Sequence, residues 1–192
     1  MEEAISDGAP LLHDQYKNNI ASHDVLEIGD VDKGFNQADL VVERKFRTST
    51  VHQGYIEPHS ATGWWTANNK ITIWGSSQGH FPIRDRTSLV LGVPVSAIKV
   101  IPMEIGGGFG GKTTIYLEPV AALLSKITGY PVKITMSRSE VLEATGPTSG
   151  SYMKVKIGAT KDGKITSAQA DLKFEAGAYP GSPVGAASNC IF

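Results

Sequence analysis

Apolar and polar positions alternate along this chain with a period that changes from stretch to stretch. In "ADLVVERKFRTST", residues 38–50, Leu40, Val41, Val42 and Phe46 give the partial alternation of a strand. "SATGWWT" and "KITIWGSSQ" follow, separated by "ANN". Asn68 and Asn69 can take the positive φ of a tight turn, so a hairpin is expected, with strands near 60–66 and 70–75. "HFPIRDRTSLVLGVP" switches to helical spacing. Pro82 suits a first turn, Ile83, Leu89 and Val90 share part of one face, and Gly92 stands where a helix would stop.

"AIKVIPMEI" reads as a strand weakened by Pro102. In "EPVAALLSKITG", Val120, Leu123, Leu124 and Ile127 fall at i, i+3, i+4 and i+7, which predicts one apolar helix face, closed by Gly129. "YPVKITMSR" is a further strand, and Ser137 to Glu140 fit a capping box. Two long strands, "SYMKVKIGATK" and "KITSAQADLKFEAGA", meet at the hairpin signal Asp162-Gly163. Residues 1–30 have no period and read as an extended linker. The mixed order of strands, two main helices and a hairpin predicts an α+β domain rather than a doubly wound sheet.

Composition narrows the function classes. Net charge is −1 with no long run of either sign, which disfavours a nucleic-acid surface. The single cysteine, Cys190, cannot close an internal disulfide or build a cysteine zinc site, and a reducing, cytoplasmic setting fits it. The acidic, polar start "MEEAISDGAP" is no secretory signal. Apolar runs such as "PVAALL" fall far short of the about 20 residues a membrane helix needs.

The most unusual stretch is "EIGGGFGGKTT", residues 104–114, with five of the chain's 21 glycines. From Gly106 it satisfies the phosphate-loop pattern G-x-x-x-x-G-K-[ST], between a strand-like and a helix-like run. Two features oppose that reading. Pro119 would break the second turn of a helix beginning at Lys112-Thr113, and no later apolar strand ends in an Asp that could hold magnesium. A turn that merely lets two elements pack is the plainer explanation. Each glycine loses about 0.5–1 kcal/mol relative to Ala through backbone entropy, however. On that ground, a ligand lying against bare backbone is the expected reason for so many.

Several segments together resemble the large, molybdenum-cofactor-binding subunit of the xanthine dehydrogenase, aldehyde oxidase and aerobic carbon monoxide dehydrogenase family. They are "GDVDKGFNQADLVVERKF", "HQGYIEPHSA", "IWGSSQ", "IGGGFGGK", "TGYPVKITMSRSE" and "VKIGATKDGKITSAQADLKFEAGAY", in the family's order from about residue 30 onward. The resemblance implies an interdomain linker over 1–30 and the first part of the molybdenum-cofactor-binding domain over 31–192. It implies a molybdopterin cofactor, in its simple form or as the cytosine dinucleotide, with iron–sulfur and FAD groups on partner subunits or domains. The implied reaction is oxidative hydroxylation of an aldehyde or heteroaromatic small molecule.

By the same resemblance, Gln78 donates its amide to an oxygen ligand of the metal, a role that suits a neutral donor. Gly107, Gly108, Phe109 and Gly110 line the cofactor. Lys112 is expected to be a structural ion-pair partner. Xanthine-type members commonly carry a Glu where this chain has Thr113, on the substrate side. Many also carry an Arg-His pair near the position of Thr148 and Ser149. Losing both charged groups makes xanthine a poor substrate expectation. Cys190 does not match the copper-site loop of the carbon monoxide enzymes and looks like a small buried residue.

His52 and His59 flank "QGYIEP", but their spacing matches no usual metal pattern, and Glu57-Pro58 reads as a turn. No catalytic base of the family is recognisable in this chain. A fragment supplying one wall of the site, inactive alone and completed by the remainder of the large subunit, is therefore expected. The alternatives are a non-catalytic cofactor-binding or maturation module and, further off, a nucleotide-binding protein.

Overall fold

The computed structural model describes residues 1–178; Cys190 and the end of the second glycine stretch lie outside them. The architecture is α+β, with mixed sheets and a few helices. The described chain divides into two compact units, residues 1–51 with the described residues from 149 onward, and residues 52–148.

The first unit is built on a three-stranded antiparallel sheet in the order β1 (Leu40–Thr48), β6 (Ser151–Ala159), β7 (Ile165–Phe174). The β6–β7 hairpin turns at Gly163, whose φ of 86° lies in the left-handed region, as the Asp-Gly signal implied. Helix α1 (Val31–Asn36) is capped by Asp30, which accepts from Lys33 N at 2.9 Å. It lies so close to β7 that a Cβ on Gly34 would meet the Thr166 carbonyl oxygen at 2.4 Å. Residues 1–30 hold no strand or α-helix, and Asn19 gathers them by binding Leu12 N, Ala4 O and Pro10 O.

The second unit carries the glycine loop. Its sheet runs in the order β4 (Ile98–Pro102), β3 (Ile71–Gly75), β2 (Ser60–Trp65), β5 (Val132–Thr135). β3 and β4 are parallel and the other pairs antiparallel. The β2–β3 turn uses Asn69 at φ 57°, as its sequence required. Pro102 sits at the end of the edge strand β4, where its missing N–H removes no ladder bond the sheet needs. Trp65, Ile71, Ile73, Ile98 and Ala122 form the core.

Helix α2 (His80–Leu91) ends at Gly92 in the left-handed conformation. Helix α3 (Glu118–Thr128) ends likewise at Gly129. Helix α4 (Arg138–Ala144) has the complete Ser137–Glu140 capping box.

α3 turns a different face inward from the one its periodicity suggested, and α2 keeps only Ile83 of its expected apolar face inside. On α2, Ile83, Thr87 and Ser88 are buried while Leu89 and Val90 are exposed. On α3, Glu118, Pro119, Ala121, Ala122 and Ser125 are buried, whereas Val120, Leu123, Leu124 and Ile127 face outward. The reason is size. α3 rests directly on β2, and a Cβ on Gly63 would stand 2.5 Å from Ala122 N. Only small residues fit that contact, so the larger apolar row is displaced to the opposite side. Ser125 strengthens the seam by accepting Trp65 N–H at 2.9 Å.

Candidate functional site

The candidate site is the irregular segment between β4 and α3, together with the end of β3 and the turn around Glu57. Its glycines answer the question their number raised. A Cβ on Gly106 would meet Glu57 Cβ at 2.6 Å; on Gly108, Gln78 Oε1 at 2.4 Å; on Gly111, Tyr55 Cε1 at 2.6 Å. Gly106 and Gly111 are thus required by the chain's own side chains, and Gly108 faces the movable side chain of Gln78. Packing within the chain accounts for part of the glycine content beside any ligand approach. At Gly110, with φ 90°, nothing stands within 4 Å of the Cβ position, so that face of the backbone is open. Phe109, beside it, is 74% exposed and held at φ 49°, an uncommon conformation for a residue with a side chain.

Gln78 binds the loop from beneath. Its Oε1 accepts Gly110 N–H at 3.0 Å and Lys112 N–H at 3.1 Å, and its own backbone N–H donates to the Lys112 carbonyl at 2.9 Å. Ser77 Oγ donates to the same carbonyl at 3.1 Å. With the oxygen so engaged, the orientation of the carboxamide is fixed. Its NH₂ has no protein acceptor among the described residues, and the residue is exposed. A neutral donor pair is therefore left without a protein partner beside the loop it holds.

Lys112 is buried at 1% exposure, and its Nζ lies 2.6 Å from Glu57 Oε2. The expected ion pair is present, but Glu57 is more than a turn residue. The same Oε2 accepts Gly106 N–H at 2.7 Å, and Glu57 N donates back to Gly106 O at 3.3 Å. Burial alone would raise the Glu57 pKa. The Lys112 ammonium and the Gly106 amide outweigh that effect and hold it below the usual carboxylate value.

Beneath the loop lies a polar cluster that sequence reasoning did not foresee. Tyr55 Oη is 2.6 Å from His59 Nε2 and 3.1 Å from Thr145 Oγ1, and His52 Nε2 is 2.8 Å from the same hydroxyl. His52 Nδ1 accepts Gly54 N–H, so neutral His52 carries its proton on Nε2 and donates to Thr145. Tyr116 packs edge-on against His59, with ring centroids 4.6 Å apart. Burial, and then the neighbouring Lys112 charge, lower the His59 pKa to about 4. His52, Glu57 and His59 do not converge on a common point, and no group of metal-ligating side chains is found among the described residues. The partners of Glu57 and Gln78 in the loop are 49 and 32 residues away, which is why spacing could not reveal them.

The phosphate-loop pattern has no phosphate-loop geometry. α3 starts at Glu118, well after Lys112-Thr113, and the Lys112 ammonium is buried against Glu57. The Gly110 and Lys112 amides are directed at Gln78 rather than at a ligand. Thr113 Oγ1 donates to Gly110 O at 3.1 Å and braces the loop. Ser149 Oγ, in the first unit, donates to Glu175 O at 2.7 Å.

A model of the molybdopterin cofactor-binding domain matches residues 12–192, and the chain belongs to that family. It is 33% identical over 179 residues to the nicotinate dehydrogenase large molybdopterin subunit of Eubacterium barkeri, covering 93% of this chain and 42% of that protein. It is 32% identical over 192 residues to the carbon monoxide dehydrogenase large chain of Afipia carboxidovorans, covering 92% and 24%. Among solved structures, the reconstituted CO dehydrogenase from Oligotropha carboxidovorans superposes with TM-score 0.66 at 31% identity, over 91% of this chain and 24% of that one. The aldehyde oxidoreductase from Desulfovibrio gigas shares the fold, with TM-score 0.72 at 24% identity over 89% and 19%. The chain thus spans less than half the length of these relatives. No helix among the described residues is long and apolar enough to cross a membrane.

Proposed function

We propose that this chain forms one wall of the molybdopterin site in the large subunit of a molybdenum hydroxylase. The observation that carries the reading is the Gln78 carboxamide, whose oxygen holds two loop amides while its NH₂ has no acceptor among the described residues. The residues suit the group. A neutral donor, an exposed aromatic ring and a bare stretch of backbone accept an anionic, oxygen-rich cofactor without adding competing charge. When bound, the molybdenum centre supplies two-electron oxidation of a carbon centre, with the oxygen drawn from water and the electrons passed to iron–sulfur and flavin partners.

This chain's own residues orient and shield. Gln78 donates toward the cofactor's oxygen-bearing end. Phe109, with Gly107, Gly108 and Gly110, lines that end and excludes water from it. Thr113 presents a small, neutral surface on the substrate side, its hydroxyl already engaged by the loop. Neither Thr113 nor the Thr148-Ser149 pair supplies a charge to a purine, so the substrate class we assign is an aldehyde or a neutral heteroaromatic ring rather than xanthine. Residues 1–30 serve as the linker into the domain. The site faces the reducing cytoplasm, and the rest of the large subunit supplies the catalytic base.

The test is metal analysis and turnover of the intact complex purified from its native host. We expect stoichiometric molybdenum and oxidation of aldehydes or N-heterocycles with an added electron acceptor, and no turnover by the 192-residue chain alone. A complex without molybdenum, or magnesium-dependent ATP or GTP binding by the chain, overturns the reading.

A further inference from the structure

Within the second unit, one carboxylate oxygen joins the two ends of the glycine loop. Glu57 Oε2 receives Gly106 N–H at the loop's entry and the Lys112 ammonium at its exit. Lys112 in turn is tied to the end of β3 by three bonds: its carbonyl takes Gln78 N–H and Ser77 Oγ–H, and its N–H donates to Gln78 Oε1. The ring of contacts therefore runs from Gly106 through Glu57 and Lys112 to Gln78. Tyr55 fills its centre, with Lys112 Nζ 5.0 Å from its ring centroid and Gly107 and Gly111 packed on its atoms.

A lysine at 1% exposure is an expensive way to hold a loop. Replacing a buried ion pair by apolar residues is often neutral for stability, whereas removing one partner leaves an uncompensated charge. What such a pair supplies that apolar packing does not is a fixed distance and direction. The backbone N–H of Lys112 is itself one of the two that orient the Gln78 carboxamide, so any slack at the ammonium is transmitted to that donor.

We propose that the Glu57–Lys112 pair, with its ammonium buried and its carboxylate partly exposed, is the positioning device that fixes the depth of the glycine loop and, through it, the direction of the Gln78 amide donor. The proposal rests on the functional reading above for the meaning of that donor. Neither Glu57 nor Lys112 touches the cofactor; both act through the loop.

Two measurements test it. The first is amide hydrogen exchange on the 192-residue chain, which needs no cofactor. Lys112→Met should raise exchange at Gly110 and Lys112 tenfold or more, while amides of β2 and β3 change less than twofold. Glu57→Gln keeps an acceptor for Gly106 and the side-chain volume, and gives the same pattern should the methionine variant not fold.

The second is kinetics of the assembled enzyme. Lys112→Met should lower kcat tenfold or more with KM within threefold, and Lys112→Arg should recover most of the loss. Combined with Gln78→Ala, Lys112→Met should cause little further loss, because both act on one donor. Exchange that rises evenly through loop and sheet marks a general stabilising pair and overturns the proposal, as do kinetic losses that multiply. Raised loop exchange in a complex that carries no molybdenum upholds the positioning and overturns the functional reading instead.

Discussion

Two glycines of the second unit are equally tight and do opposite things. A Cβ on Gly63 would stand 2.5 Å from Ala122 N, and one on Gly108 would stand 2.4 Å from Gln78 Oε1. At Gly63 every near neighbour is backbone of α3, which cannot move without lifting the helix off the sheet. At Gly108 every near neighbour belongs to the side chain of Gln78, which is exposed and can swing aside. The first contact therefore belongs to the fold and the second to the site. Tightness alone does not say which; the mobility of the opposing atom does.

The largest effect that would break this comparison is Gly63→Ala. We expect it to destabilise the chain by about 3 kcal/mol, at or beyond the upper end of ordinary overpacking costs, read as a fall in the denaturant midpoint. A loss below 1 kcal/mol would show that α3 slides freely over β2.

The pH dependence comes next, and it belongs to the loop side. His59 has its folded-state pKa lowered to about 4 from an ordinary 6.5, so the unfolded chain binds the extra proton first. Stability from this group is complete above the ordinary value and is lost as pH falls from about 6.5 toward 4, a loss on the order of 1–3 kcal/mol. Glu57, also lowered, adds to the loss as pH falls through the ordinary carboxylate range and then through its own lowered value. Urea titrations at pH 7.5 and 4.5 measure the sum, and His59→Phe should flatten the upper part of the curve.

Gly108→Ala sharpens the contrast. It should cost only about 1–2 kcal/mol, the worth of the two hydrogen bonds that Gln78 gives up. Loop amides at Gly110 and Lys112 should nonetheless exchange faster while the sheet is unchanged. The smallest effect lies back under α3. Burial raises the pKa of Glu118, against backbone hydrogen bonds that include Tyr116 N–H. A raised carboxylate favours the fold at low pH and loses that benefit as pH rises. Glu118→Gln keeps an oxygen for Tyr116 and removes the buried charge, so Tm at pH 7.5 should rise by roughly 2 °C or less.

What the sequence made legible was mostly local. The Ser137–Glu140 box, the turns at Asn69 and Gly163 and the stops at Gly92 and Gly129 depend on neighbours within a few residues. The inward face of α3 was not legible, because the contact with Gly63 selects small side chains while periodicity counts apolar ones. Nor was the reason for the glycines. Gly106 and Gly108 answer to Glu57 and Gln78, brought to them by the sheet and not by the chain's order. Gln78 and Phe109 were named through family resemblance; the Tyr55–His59–Thr145 cluster had no signal that single-sequence reasoning could use.

The Gln78 carboxamide has a use at the genetic level. Its oxygen holds the loop, and its NH₂ has no acceptor among the described residues, so on the proposed reading the two roles lie on different atoms. Gln78→Glu keeps the side chain's shape but replaces the donor by a charged acceptor. If the proposed reading holds, the allele should yield a subunit that still folds but in which that position no longer donates. A strain carrying it would then separate the presence of the protein from the proposed chemistry.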